Sequence, residues 1–138
     1  MIEYHKFQKA LKHLELQYDN YKYLDDALPK ITQEAIAESV IQRFETCYDC
    51  LWKVLKRYLS EELGLPELPN SPKPIFRISA ENQLFSSPID QWIKYANARI
   101  ATSHDYSGEK AEEALIAIES FIKDAISLYQ AMSADTWE

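Results

Sequence analysis

Residues 36–59 read IAESVIQRFETCYDCLWKVLKRYL. Ile36, Val40, Phe44, Cys47, Leu51, Leu55 and Leu59 recur every three or four positions, which lays one apolar stripe along a helix. Tyr48, Trp52 and Tyr58 flank that stripe, so more than one side of the helix is expected to be covered. Gly64 and Pro66 stop the pattern. A helix of roughly thirty residues spans about 45 Å. That is long for a chain of 138 residues, and it points to a kink or to a face used in dimerisation.

The neighbouring segments repeat the helical period. Phe7, Leu11, Leu14, Tyr18 and Tyr21 form an earlier stripe, and Pro29 marks the end of that helix or the start of the next. After the long helix comes LPELPNSPKP, residues 65–74, whose four prolines predict a loop. The amphipathic piece IFRISAENQLF, residues 75–85, predicts a brief helix. Pro88 is suited to a first helical turn, and Ile89, Trp92, Tyr95 and Ala96 mark the face of the helix it opens. Ser107 is an N-cap candidate with Glu109 in the following turn. Ala111, Ala114, Leu115, Ile118, Phe121, Ile122, Ala125, Leu128 and Met132 then make the last apolar face. The expectation is an all-α protein: an up-down four-helix bundle with an extra short helix, in one domain over residues 1–138.

Composition narrows the function classes. Two glycines cannot build a phosphate-cradling loop, so nucleoside-triphosphate chemistry within the chain is not expected. No stretch approaches the ~18 apolar residues of a membrane span, and the N-terminus MIEYHKFQKALKHL has no signal-peptide core. A cytoplasmic protein with reduced Cys47 and Cys50 is expected, with no membrane association. A net charge of −7 disfavours indiscriminate nucleic-acid binding. The charge is uneven, however. Residues 109–138 hold seven acidic side chains against two basic, whereas residues 40–59 hold four basic against two acidic. That distribution leaves room for a local anion-binding face.

Two patterns resemble sites and are read as structure. CYDC, residues 47–50, has the Cys-x-x-Cys form but lies mid-helix without a second cysteine pair, so structural thiols are expected. His5 and His13 lack a carboxylate or cysteine at ligand spacing, so no metal site and no cofactor are expected. The basic run KVLKRYL reads as a solvated helix edge.

Residues 97–110, NARIATSHDYSGEK, are different. Arg99 and His104 are five positions apart, about 140° on a continuous helix, so they would diverge unless the helix ends between them. Ser103, His104, Asp105 and Ser107 favour turns and caps, which supports such an end. Histidine suits proton transfer near neutral pH, arginine offers a planar fork for phosphate oxygens, and Tyr106 adds a hydroxyl nearby. The bland alternative is that Arg99 caps the helix or pairs with Asp105 and that His104 occupies an ordinary loop.

Residues 99–106, RIATSHDY, match the Arg-x4-His-x-Tyr signature of HEPN-domain proteins. With the run QRFETCYDCLWKVLKRYL, the tryptophan-bearing helix before the motif and the acidic helix after it, the chain resembles the HEPN partners of minimal nucleotidyltransferases along nearly its whole length. These are also called nucleotidyltransferase substrate-binding proteins. The resemblance implies a homodimeric helical bundle whose motifs face each other across the interface. It implies the toxin of a toxin–antitoxin pair of the type VII kind, a metal-independent endoribonuclease acting on RNA. Arg99 and His104 would be catalytic, and Tyr106 would receive AMP from a nucleotidyltransferase encoded by an adjacent gene. Asn97, Ser103 and Asp105 are accessory polar candidates. One departure stands out: the residue after the arginine is commonly polar in this family and is Ile100 here, which puts the orientation of Arg99 in question. The second reading is therefore a non-catalytic substrate-binding or adaptor subunit of the nucleotidyltransferase. A third is a structural helical dimer without an active site.

Overall fold

In the computed structural model, which describes residues 2–103 and 108–138, the 36–59 stripe lies on one continuous helix. Helix α1 spans His5–Lys22, α2 Lys30–Glu61, α3 Pro72–Glu81, α4 Ile89–Thr102 and α5 Gly108–Ser133, with no strand among the described residues. Helices α1, α2, α4 and α5 form the bundle and α3 is the short addition, as the sequence pattern predicts. Helices α1 and α5 run antiparallel to each other. Tyr4, at the start of α1, donates to the Met132 carbonyl near the end of α5, and Tyr18 donates to Glu119 farther back along α5. None of the helices is long and apolar enough to cross a membrane among the described residues.

Local chemistry explains the boundaries. Pro29, with extended backbone, precedes the first turn of α2, so it opens this helix rather than closing α1. Gly64 stands at φ +66°, a conformation that L side chains adopt only with strain. The turn it permits lets the Leu65 N–H reach back to the Leu59 carbonyl at 3.0 Å, and α2 ends. The expected proline loop is shorter than its composition implied. Pro72 and Pro74 lie in the first turn of α3, where a missing N–H costs nothing because those donors have no partner within the helix. At its other end, α3 stops at Glu81, before the predicted 85. Pro88 sits one position ahead of α4.

At about 48 Å for 32 residues, α2 is the axis of the fold, and each of the other helices packs against it. Its first ten residues, 30–39, contain no buried position; burial begins at Val40 and continues to Leu59. The core that follows is aromatic. Phe121 of α5 meets Phe44 of α2 edge-on at 5.0 Å and Tyr95 of α4 at 5.3 Å. Phe76 of α3 packs on Tyr48 and Trp92, and Phe85 stacks on Trp92 at 4.1 Å. A polar tie crosses the same region. Asp124, buried on α5, accepts hydrogen bonds from Ser87 at 2.6 Å and from Tyr95. Burial, and then the bond to Asp124, keeps the Tyr95 hydroxyl protonated well above its ordinary range.

Two outcomes are expected. Phe121→Ala removes a fully buried ring from the junction of α2, α4 and α5, and should lower the unfolding free energy by about 3–5 kcal/mol in urea titration. The second concerns alkali. Burial raises the pKa of both Tyr4 and Tyr18 from 10.0 to about 12, with Glu62 contributing next for Tyr4 and the Glu119 bond for Tyr18. The folded chain thus holds these protons more tightly than the unfolded one. The stability they contribute is complete below pH 10 and is lost as pH rises toward 12. Urea midpoints should fall across that window, and Tyr18→Phe should flatten the fall.

Candidate functional site

The C-terminal half of α4 lies over the middle of α2 because Tyr95 and Trp92 are anchored in the aromatic core one and two turns earlier. That placement brings Arg99, in the last turn of α4, onto two carboxylates of α2. One guanidinium nitrogen lies 3.1 Å from Glu45 Oε2, and a second lies 3.3 Å from Asp49 Oδ2. Arg99 Nε donates to Asp49 Oδ1 at 3.4 Å, so Asp49 takes the fork side-on. Glu45 and Asp49 are four apart on α2 and therefore share a face. Thr102, 2% exposed, places its hydroxyl 2.9 Å from the same Glu45 oxygen. The Arg99 side chain is 26% exposed, Glu45 15% and Asp49 42%, so the Glu45 contact is the better shielded.

In front of this clamp, α2, α3 and α4 enclose a cleft of about 660 Å³. Tyr48 forms part of its wall, almost fully buried, and burial pushes its hydroxyl pKa up while the Arg99 charge pulls it down. Ile100 lines the cleft with 53% of its surface exposed. Ser103 is exposed at the cleft, its hydroxyl donating to the Ile100 carbonyl at 2.6 Å. That bond and the α4 terminus at Thr102 place the end of the helix between Arg99 and residue 104, as the turn-favouring residues predict.

The other sequence candidates are distributed differently. His104, Asp105 and Tyr106 lie outside the described residues. Asn97 is exposed in a separate groove between α4 and α5, beside Lys94 and Lys110, and does not line the Arg99 cleft. Cys47 is fully buried and Cys50 partly so; burial holds both thiols above their ordinary pKa. His13 Nδ1 lies 3.3 Å from Arg43. Among the described residues no three metal-ligating side chains converge.

Sequence reasoning did not find Glu45, Asp49 or Thr102. Glu45 and Asp49 are the two acidic residues in the otherwise basic 40–59 segment. Each is adjacent to a stripe residue or its flank, which reads as an ordinary polar edge until the partner on α4 is known. The departure at Ile100 raised the question of what orients Arg99. The carboxylates of α2 do.

The model of one protein family, described as nucleotidyltransferase substrate binding protein like, matches residues 2–134. A Haemophilus influenzae protein named "Probable ribonuclease HepT" is 28% identical over 109 residues, which cover 78% of this chain and 74% of that protein. A solved H. influenzae structure, described as revealing the fold of a substrate-binding domain of a nucleotidyltransferase, superposes with a TM-score of 0.85. It is 24% identical, and the match covers 95% of this chain and 99% of that one. A Thermus thermophilus protein superposes at 0.76, also 24% identical, over 91% and 98%. These superpositions establish a shared helical fold.

The unequal shielding of the two carboxylates has a measurable consequence. In double-mutant cycles with Arg99→Ala, Glu45→Ala should show a coupling of about 1–2 kcal/mol, between the values of surface and buried pairs. Asp49→Ala, at the more exposed partner, should show less than about 1 kcal/mol. Urea unfolding of the four proteins in each cycle measures both.

Proposed function

Because the chain belongs to the nucleotidyltransferase substrate-binding protein family, we propose that it is the HEPN toxin of a two-protein toxin–antitoxin pair, a metal-independent endoribonuclease silenced by its nucleotidyltransferase. The observation that carries this reading is the oriented arginine. Arg99 is held by Glu45 and Asp49 at the mouth of a cleft, five positions before His104. The "Probable ribonuclease HepT" relative supports the same activity.

The chemistry requires three functions. A base removes the proton from a ribose 2′-OH, and the freed oxygen attacks the adjacent phosphorus. As the O2′–P bond forms, the P–O5′ bond breaks, and an acid protonates the departing 5′-oxygen. A cation stabilises the charge gathered on the phosphoryl oxygens. One chain contributes one histidine of the motif. A two-fold homodimer contributes two, so one His104 acts as base and the partner's His104 as acid, with Arg99 at the phosphate. Ser103 and Asp105 are the accessory polar groups of this assembly.

Regulation uses the same segment. Transfer of AMP to the Tyr106 hydroxyl by the partner enzyme, encoded next to this chain, places bulk and an anionic phosphodiester two residues from His104 and blocks RNA. The reaction takes its adenylyl group from a nucleoside triphosphate bound by the partner and releases pyrophosphate.

A second reading draws on a specific observation: Glu45 and Asp49 already compensate the Arg99 charge, and Ile100 stands where the resemblance implies a polar residue. In that case the chain is a non-catalytic adaptor that presents a substrate to the nucleotidyltransferase.

The deciding experiment is RNA cleavage by protein made without its partner, in chelator, against His104→Ala. The ribonuclease reading expects the substitution to reduce cleavage by about 10²–10⁴-fold. Equal background rates from both proteins, with intact mass showing an unmodified Tyr106, would remove the ribonuclease reading and favour the adaptor. Added nucleotidyltransferase and ATP should increase the mass by one adenylyl group and stop cleavage, with Tyr106→Phe immune to both effects.

A further inference from the structure

The cleft beside Arg99 contains more cationic charge than the α2 clamp involves. Lys73 and Arg77 stand four apart on α3, so their side chains share one face, and both line the cleft together with Arg99. Arg77 is exposed and Lys73 half-buried. Neither takes part in an ion pair among the described residues. Lys73 and Arg77 therefore add two cations to the Arg99 charge that Glu45 and Asp49 compensate, and the cleft keeps a cationic excess in a chain of net charge −7. The local field has the opposite sign to that of the whole molecule, and it selects an anion.

The rest of the wall restricts the kind of anion. Pro72, Pro74, Ala96 and Ile100 supply apolar surface, and the 53% exposure of Ile100 leaves a large part of it open. Free phosphate or an acidic side chain has no use for such a wall, whereas a nucleobase packs its face on apolar surface while its phosphate seeks cations. A volume of about 660 Å³ accommodates a nucleotide with room to continue toward Arg99. Base-paired RNA hides its base faces, so the wall favours a single strand. The two prolines also restrict the backbone on either side of Lys73, which lowers the entropy cost of holding that side chain at the cleft.

We propose that Lys73 and Arg77 of α3 form a phosphate-binding subsite for single-stranded RNA, holding the nucleotide that adjoins the one at Arg99 with its base against Pro74 and Ile100. The inference rests on the ribonuclease reading for its ligand. It adds a determinant of substrate affinity that lies wholly outside the Arg-x4-His-x-Tyr motif. A charge pair on α3 thereby sets how strongly a strand is gripped, while residues 99–106 set whether it is cut.

The test separates binding from cleavage. A fluorescent single-stranded 2′-O-methyl oligonucleotide lacks the attacking hydroxyl, so its affinity is read without turnover. Lys73→Gln and Arg77→Gln are compared with Lys123→Gln, an equal charge change at an exposed position on α5. Each cleft variant should bind about threefold to tenfold more weakly, and the salt slope should fall by about 0.7 per lost phosphate contact. Lys123→Gln should match the wild type. On a cleavable strand, the cleft variants should raise KM and leave kcat unchanged.

Wild-type affinity and slope in both cleft variants would overturn the subsite, and so would a wild-type protein that binds no oligonucleotide. Unchanged oligonucleotide binding with weakened capture of the purified nucleotidyltransferase would overturn it too, by assigning the cations to protein docking. The two readings fail separately. Histidine-dependent cleavage with indifferent cleft variants removes the subsite alone. Weakened binding in those variants, without cleavage by any protein, supports the subsite and removes the ribonuclease reading alone.

Discussion

The edge-on contacts of Phe121 with Phe44 and Tyr95 hold the structure in register. Through one ring, α5 fixes the height of α4 against α2. Aromatic pairs of this geometry are directional as well as apolar, because the positive edge of one ring prefers the negative face of another. A slide of α4 by one turn would exchange those contacts for poor ones. It would also separate Tyr95 and Ser87 from Asp124, leaving a buried carboxylate without its donors. Arg99 lies one turn beyond Tyr95 on the same helix, so its position over Glu45 and Asp49 is inherited from the core.

Helix α2 serves both structure and site. Phe44 and Tyr48 enter the aromatic cluster, while Glu45 and Asp49, each one residue later, receive the arginine. A step of one residue rotates a side chain by about 100°, so core face and clamp face run side by side along the helix. Their coupling is rigid. Any change that tilts α2 moves both, and a guanidinium held in a defined plane by a side-on carboxylate loses little further freedom when it meets a phosphate. The same carboxylates moderate its charge, which is why the surrounding cations of α3 matter for drawing an anion to this side of an acidic molecule.

The family relationship supplies a context in which that arrangement has a use. A protein partnered with a nucleotidyltransferase needs a segment the partner can reach, and a nuclease needs its acid, base and cation near that segment if modification is to silence it. The α4–α5 connection begins where the clamped arginine ends. The last helix is acidic while the cleft gathers Lys73, Arg77 and Arg99, so the charge of the molecule is unevenly distributed.

Much of the architecture is legible in the order of residues, since each stripe records which face of a helix is apolar and needs no partner to be recognised. Phe7 to Tyr18, Val40 to Leu59 and Leu115 to Met132 were readable for this reason, as was the end of α4 before residue 104. Pro72 and Pro74 misled because proline marks both loops and first turns, and only the backbone they join decides which. The motif around Arg99 was also readable, as a local string. Glu45, Asp49, Thr102, Lys73 and Arg77 were not. They lie from three to more than fifty positions away on the chain, and none but Thr102 belongs to the helix that carries Arg99. A charged residue on a helix edge looks the same whether water or an arginine faces it. Periodicity therefore determined which residues are inside, and only the packing of α3 and α4 on α2 decided which charges meet, because electrostatic contact depends on distance in space and leaves no period in the chain.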